Sequence, residues 1–307
     1  MNILPSRQRT KTKRELIIIS YANKNNRFLN NYKRSLKKYK YKYKFVGKGE
    51  KWENYMTKIN AYYKYLLKYK NKYKLACLTD AYDVLCCGPE KELLTKYYKI
   101  GKKVIFSAET NCLSEKCIYL DNLHKKKEYK VKEKNKYLNS GFILGDVDKL
   151  IEIMKKAIDI STKYGITDDQ LIMCMIVKED CEDIKLDTNT EIIGTIGSNM
   201  LDYKFKNDRI YNENTNKKVC FIHSPGVNSD MGFRLDSFGK KILKEKYEDD
   251  LTINKLKNFY KHINENKLYK RTAIIVIILL LIILFIFPKI ILLYLIIIAI
   301  IVLYLQK

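Results

Sequence analysis

Two carboxylates, Asp80 and Asp83, follow a run of small apolar residues in LACLTDAYDVLCCGPE, residues 75–90. At i and i+3 they would share a helix face, but LACLT reads as a strand and Gly88-Pro89 closes the segment. A strand-to-loop transition therefore carries both acids. There, two carboxylates can converge on a hard divalent cation and leave coordination sites open for a diphosphate. A metal so held stabilises charge developing on a departing phosphate group. The plainer alternative is a turn with an Asp cap before a helix. A second acidic pair, Asp168-Asp169, opens the helix-like TDDQLIMCMIV. Acids there balance the helix dipole.

The elements around these acids alternate. ELIIIS (15–20) reads as a buried strand, since unbroken apolar β-branched runs suit a sheet covered on both faces. Residues 24–38 carry Phe28, Leu29, Tyr32 and Leu36 at helical spacing, and YKYKFVG (41–47) alternates like a second strand. A helix is expected around 56–70, a third strand at KLACLTD, a helix starting at Pro89, and a fourth strand at 102–109. This order predicts an open α/β sheet with helices on both faces. Ligands of such sheets bind outside the carboxyl ends of the strands. Asp80, Asp83 and Glu109 fall at such ends. Residues 111–136 read as a polar loop, YLNSGFILGDVDKLIEIMKKAI as a strand and a helix, and IKLDTNTEIIGTIG and KVCFIHSPG as the last strands.

The formal net charge is +25 and the pI about 9.5, values that ordinarily point to nucleic acid or anionic membranes. Lys, Asn, Ile and Tyr are abundant together, so the excess reads as compositional bias, and no specific nucleic-acid partner is expected. The eight cysteines include adjacent Cys86 and Cys87, and the polar N-terminus lacks an apolar signal core, so a reduced, cytosol-facing chain is expected. The sequence divides into a basic leader (1–14), an α/β domain (15–244), a polar stalk (245–271) and an apolar segment (272–305) broken by Pro288-Lys289. Its length matches membrane attachment. Two geometries are open, a hairpin turning at Pro288-Lys289 or a single tilted span. The basic flank KLYKR (267–271) favours a cytosolic α/β domain under the positive-inside rule.

Along residues 15–226 the chain resembles the glycosyltransferase domain of the procollagen lysyl hydroxylases. The resemblance runs in order through GKGEKW, LTDAYDVL, GPEKELL, VIFSAE, YLNSGFILG, DDQL, IKLDTNTEI and FIHSPG. It implies a GT-A, Rossmann-type mixed sheet, a UDP-hexose donor (UDP-glucose or UDP-galactose), manganese, and a hydroxylysine-like acceptor in a collagen-like protein. It further implies Asp80, Asp83 and His223 as metal ligands. Trp52, Lys58 and Tyr82 would line the donor pocket, Asn139, Ser140 and Gly141 would border the sugar, Gly226 would approach the donor, and Asp168 and Asp169 would form the acidic catalytic cluster. Asp187 matches a further family acid. At 224–226 the family's Gly-Asn-Gly is replaced by Ser-Pro-Gly. The competing reading is a degenerate domain of the same fold acting as a membrane-tethered binding or scaffold protein.

Overall fold

The structure, a computed structural model, describes residues 13–111, 135–180, 182–196, 202–225 and 229–244, with the backbone alone for 229–234. The chain divides into two units, Met1–Glu245 and Lys246–Lys307, and every described residue belongs to the first. Most of the basic leader, most of the polar loop, Gly226, the stalk and the apolar segment lie outside the described residues. Among the described residues, no helix is long and apolar enough to cross a membrane.

The expected alternation forms. Strand β1 is Arg14–Tyr21, helix α1 Arg27–Lys38, strand β2 Tyr43–Val46, helix α2 Tyr55–Tyr69 and strand β3 Tyr73–Thr79. A short strand β4, Val84–Cys86, then precedes α3, Glu90–Ile100, and β5, Val104–Glu109. Strand β6 spans Tyr137–Asp146, followed by α4, Val147–Tyr164, α5, Asp169–Glu179, β7, Ile184–Leu186, and β8, Ile193–Thr195. The chain continues through β9 Tyr203–Lys206, β10 Arg209–Asn212, β11 Lys217–Lys218 and β12 Phe221–His223 to helix α6, Ser229–Leu243.

The main sheet has the order β2-β1-β3-β6-β5-β7. Strand β6 runs antiparallel to both neighbours, whereas β1 is parallel to β2 and β3, and β5 is parallel to β7. The sheet is therefore mixed. Strict alternation along its strands sorts the core into two layers. Ile17, Ile19, Ala76 and Leu78 pack under α2, α4 and α5. On the other face, Leu16, Ile18, Leu75 and Cys77 meet α1, α3 and residues of β4, β8 and β12. Those three strands form a second sheet, in which β12 is antiparallel to β4 and parallel to β8.

Three features were not anticipated from the sequence. Strand β4 has only three residues, too few for a periodic signal. The β9-β10-β11 sheet lies in a Lys- and Asn-rich stretch whose alternation is masked by composition. Its first hairpin turns at Asn207-Asp208, both at positive φ (52° and 58°), the geometry of a two-residue primed turn. Helix α6 follows the last strand and meets α1 through Asp236, which accepts from Asn31 Nδ2 at 2.9 Å.

Candidate metal centre

The carboxyl end of β3 is tied down by a buried polar knot. Thr79 Oγ1 contacts Ser20 Oγ at 2.6 Å and Tyr32 Oη at 2.7 Å, and Tyr62 Oη donates to the Thr79 carbonyl at 2.9 Å. Asp80 N donates to Gly141 O at 2.9 Å. The chain then turns, and β4 starts at Val84, paired with His223. Ser224 N closes the corner by donating to Asp83 O at 2.8 Å. Two strands that are remote in sequence thus bring Asp80, Asp83 and His223 together.

One ligand atom from each of these residues lies within 4.8 Å of the others. His223 Nε2 is 3.4 Å from Asp83 Oδ2 and 3.7 Å from Asp80 Oδ2. Ligands on a shared divalent ion stand roughly 3–3.5 Å apart when each bond is a little over 2 Å. His223 is 1% exposed, yet among the described residues neither ring nitrogen has an aligned hydrogen-bond partner, the nearest acceptor being Asp83 Oδ2. Buried polar atoms are rarely left unpaired, so an orphaned imidazole facing two carboxylates fits a cation site. Burial works against protonation of His223, but Asp83 first, then Asp80 and Glu109, outweigh it and hold the imidazole above its ordinary pKa. A divalent cation would compete with that proton for the same lone pair. Gly141 is required for the geometry. A Cβ there would lie 2.1 Å from His223 Cε1.

That glycine sits where the main sheet changes register. Strand β5 passes from Phe106 to Ser107 while its partner β6 passes from Ile143 to Asn139. Ser140-Gly141-Phe142 are the extra residues; of these, Gly141 faces the His223 ring and Phe142 packs on Phe221 of β12 at a ring-centroid distance of 5.3 Å. Asn139 braces it from inside, its Oδ1 accepting from Ser107 Oγ at 3.1 Å and Gly141 N at 3.0 Å. Ser140 N donates to Gln170 Oε1 at 3.3 Å, and Gln170 Nε2 donates to Glu109 Oε1 at 2.9 Å. The small-residue turn therefore borders the centre through Gly141, while Asn139 supports it from beneath.

Lys58 joins the two acidic groups. It lies in the first turns of α2, where a cation opposes the helix dipole. The helix start is secured by a capping box between Asn54 and Thr57. Lys58 Nζ is 2.8 Å from Asp80 Oδ1 and 3.0 Å from Asp169 Oδ2; the second is an ion contact rather than an aligned hydrogen bond. Burial acts to lower the Lys58 pKa, but Asp80 and then Asp169 outweigh it, and the ammonium stays charged. Lys58 is thus neither a solvated surface lysine nor a cation without partners. The pair at 168–169 divides. Asp168 is the N-cap of α5, its Oδ1 accepting from Leu171 N at 3.0 Å. Asp169 is the acid carried to the centre, through Lys58.

Beside the triad opens a cleft of 390 Å³, bordered by Trp52, Lys58, Asp80, Tyr82 and Asp83 as expected from sequence, and also by Tyr21, Asn23, Lys24 and Tyr55. Trp52 is 41% exposed, which excludes a core role. It packs against Tyr21 and Tyr55 at ring-centroid distances of 5.4 and 5.8 Å. Tyr82 is fixed at its hydroxyl, which receives Lys24 N at 3.1 Å and lies 3.1 Å from Asn23 Oδ1. Tyr21, Asn23 and Lys24 lie at and just past the carboxyl end of β1, so the rule that singled out Asp80 at the end of β3 would also have found them. A larger cavity of 650 Å³ lies elsewhere, among Lys74, Lys103, Asp146 and Lys149. None of the triad borders it, and Lys74, Lys103 and Lys149 are each paired with acids.

Residues 12–250 match the family described as the PLOD GT domain. Among curated proteins, the chain is 27% identical over 153 residues to a procollagen-lysine,2-oxoglutarate 5-dioxygenase of Drosophila melanogaster, covering 48% of this chain and 20% of that protein. It is 30% identical over 155 residues to the uncharacterized protein R699 of Acanthamoeba polyphaga mimivirus, covering 50% of this chain and 31% of that protein. The chain thus aligns with less than a third of the length of either relative. Among solved structures, a glycosyltransferase involved in glycosylation of the major capsid of PBCV-1 aligns with 72% of this chain and 98% of its own, at TM-score 0.46 and 11% identity. Because the family match covers well over half of the sequence and includes every residue of the centre, the chain belongs to the PLOD GT domain family and carries a glycosyltransferase-like domain.

Proposed function

We propose that this protein is a metal-dependent glycosyltransferase with a GT-A-like fold, moving a hexose from UDP-glucose or UDP-galactose to a hydroxyl acceptor. The observation that carries this reading is the Asp80-Asp83-His223 triad beside a cleft with an exposed aromatic wall. Two carboxylates and one imidazole form a donor set suited to manganese. When bound there, the ion supplies positive charge for a departing diphosphate. Trp52 and Tyr82 offer aromatic faces for a base. Lys58 neutralises Asp80 and Asp169 together, so that neither carboxylate repels an incoming anionic donor in full. Asp169 is the carboxylate proposed to face the sugar and acceptor, where it would favour positive charge building at the transferred carbon or take the acceptor's proton. Asp168, as the N-cap, would hold the helix that presents it.

Full-length protein incubated with each UDP-hexose should hydrolyse or transfer from one of them only when manganese is present, and Asp83→Ala should lose that turnover. Turnover with neither donor, joined to no manganese-dependent nucleotide binding, would sink the proposal and favour the degenerate scaffold. The acceptor class supported by the family is hydroxylysine in a collagen-like protein, which a hydroxylysine-bearing collagen peptide would test directly. We further propose that residues 272–305 anchor the chain in a membrane, with the domain on the cytosolic side. Their unbroken apolar character on either side of Pro288-Lys289 supports the anchor, and the basic flank at 267–271 supports the cytosolic side.

A further inference from the structure

We infer that Asp187, which touches none of the three metal ligands, is the positioning residue that holds His223 in place for metal binding. The inference rests on the proposed metal reading of Asp80, Asp83 and His223. Asp187 stands at the carboxyl end of β7 and is 3% exposed. Its Oδ1 accepts from Glu191 N at 2.8 Å, and its Oδ2 accepts from Ile192 N at 2.8 Å and Ile193 N at 2.9 Å. Its own N donates to Phe106 O at 2.8 Å, and its O accepts from Thr190 N at 3.1 Å. One buried carboxylate therefore closes the whole turn between β7 and β8. The turn needs closing, because Thr190, a β-branched residue, is held at φ 50°, a conformation such residues rarely adopt.

From this turn the order passes to His223 through backbone alone. Ile192 O receives both Cys220 N at 2.7 Å and Phe221 N at 3.1 Å. Strand β8 then runs beside β12 with Ile193 opposite Phe221 and Thr195 opposite His223, and Ile196 N donates to His223 O at 2.7 Å. On its other side the imidazole meets Gly141 with no room to spare. Strand β12 is held on two sides, by β4 through the His223–Val84 pair and by β8, so a shift of β8 leaves His223 held toward Asp83 from the β4 side alone. Groups that orient a metal ligand from outside the coordination sphere commonly change affinity 10- to 100-fold when altered.

Asp187→Asn keeps the shape but turns an NH₂ group toward backbone N–H donors. The test measures the manganese dissociation constant by calorimetry for full-length wild type, Asp187→Asn and Met154→Ala, at a temperature where circular dichroism shows all three folded. Met154 lies in the core under the opposite face of the sheet, so its truncation reports loss of stability alone. The expected result is affinity weakened about tenfold or more in Asp187→Asn and unchanged in Met154→Ala. Wild-type affinity in folded Asp187→Asn, or equal weakening in both variants, overturns the inference and leaves the metal reading standing. Absence of manganese binding in wild type overturns both. Should Asp187→Asn fail to fold, hydrogen exchange on the wild type decides. Coupling is reciprocal, so manganese should slow exchange of the Glu191, Ile192 and Ile193 amides, and no change there overturns the inference.

Discussion

At the residue scale, the centre is a set of close approaches, and each should show its cost when disturbed. Gly141→Ala places a methyl where the His223 ring lies. The ring must move, and manganese affinity measured by calorimetry should fall more than about tenfold, as for other disturbances of a ligand's support. Affinity equal to wild type would mean that His223 is not a ligand. Lys58→Met leaves Asp80 and Asp169 without their shared cation. Breaking a buried ion pair by removing one partner costs roughly 3–5 kcal/mol; because Asp80 is 28% exposed at its side chain, about 3 kcal/mol is expected by urea denaturation. Manganese should raise the melting temperature of Lys58→Met more than that of wild type, since it restores positive charge beside Asp80. An equal rise in both would count against the shared electrostatics. Asp80 and Asp83 stood out in the sequence because both follow a strand, but their spacing alone left an Asp-capped turn equally open, and only the family resemblance marked them as metal ligands. Asp168 and Asp169 were not separable there. Adjacent positions at a helix start differ by about 100° in direction, and only packing decides which one caps and which turns inward.

At the element scale, short strands and helix ends place the side chains. Asn54 caps α2, the helix that carries Lys58, and Asn54→Ala should cost about 1 kcal/mol of stability in urea melts. Loss near zero would show that the cap is dispensable. Helix α3 is joined to β10 by Arg209, which grips Glu92 with both Nη atoms, Nη2 to Oε1 at 3.0 Å. Burial pushes the Glu92 carboxyl up, but Arg209 and Lys96 outweigh it and hold it down to about 2. A carboxyl depressed in the folded state stabilises above its ordinary value of 4.5, and that contribution is lost as pH falls toward about 2. The fall in urea midpoint between pH 4.5 and 2.5 should be shallower in Glu92→Gln than in wild type; identical slopes would assign the acid sensitivity to other groups. None of this pairing was visible in the sequence, because Glu92 and Arg209 are remote along the chain and β10 hides in a polar stretch. The Asn207-Asp208 turn was the one local signal for that hairpin.

For the whole molecule, the membrane proposal has a direct test. Full-length protein expressed in cells should remain with membranes after alkaline carbonate washing, whereas release into the soluble fraction would rule out integral anchoring by residues 272–305. The charge of +25 belongs to this scale too. Adhesion through charge alone would be lost in high salt, so retention in both salt and carbonate separates insertion from electrostatics. By itself the sequence determined the strand-helix alternation, the four N-terminal strands and the two acids at the end of β3, because these depend on periodicity and on residues adjacent in the chain. It also determined family membership, since ordered short motifs survive where overall identity is low. Only the tertiary structure decided that β6 reverses the sheet, that a bulge at Ser140-Gly141-Phe142 makes room for His223, that Lys58 joins Asp80 to Asp169, and that Asp187 closes a turn behind the centre. Each of these depends on contacts between residues far apart in sequence, where hydrogen bonds and steric fit, rather than local preference, select the arrangement.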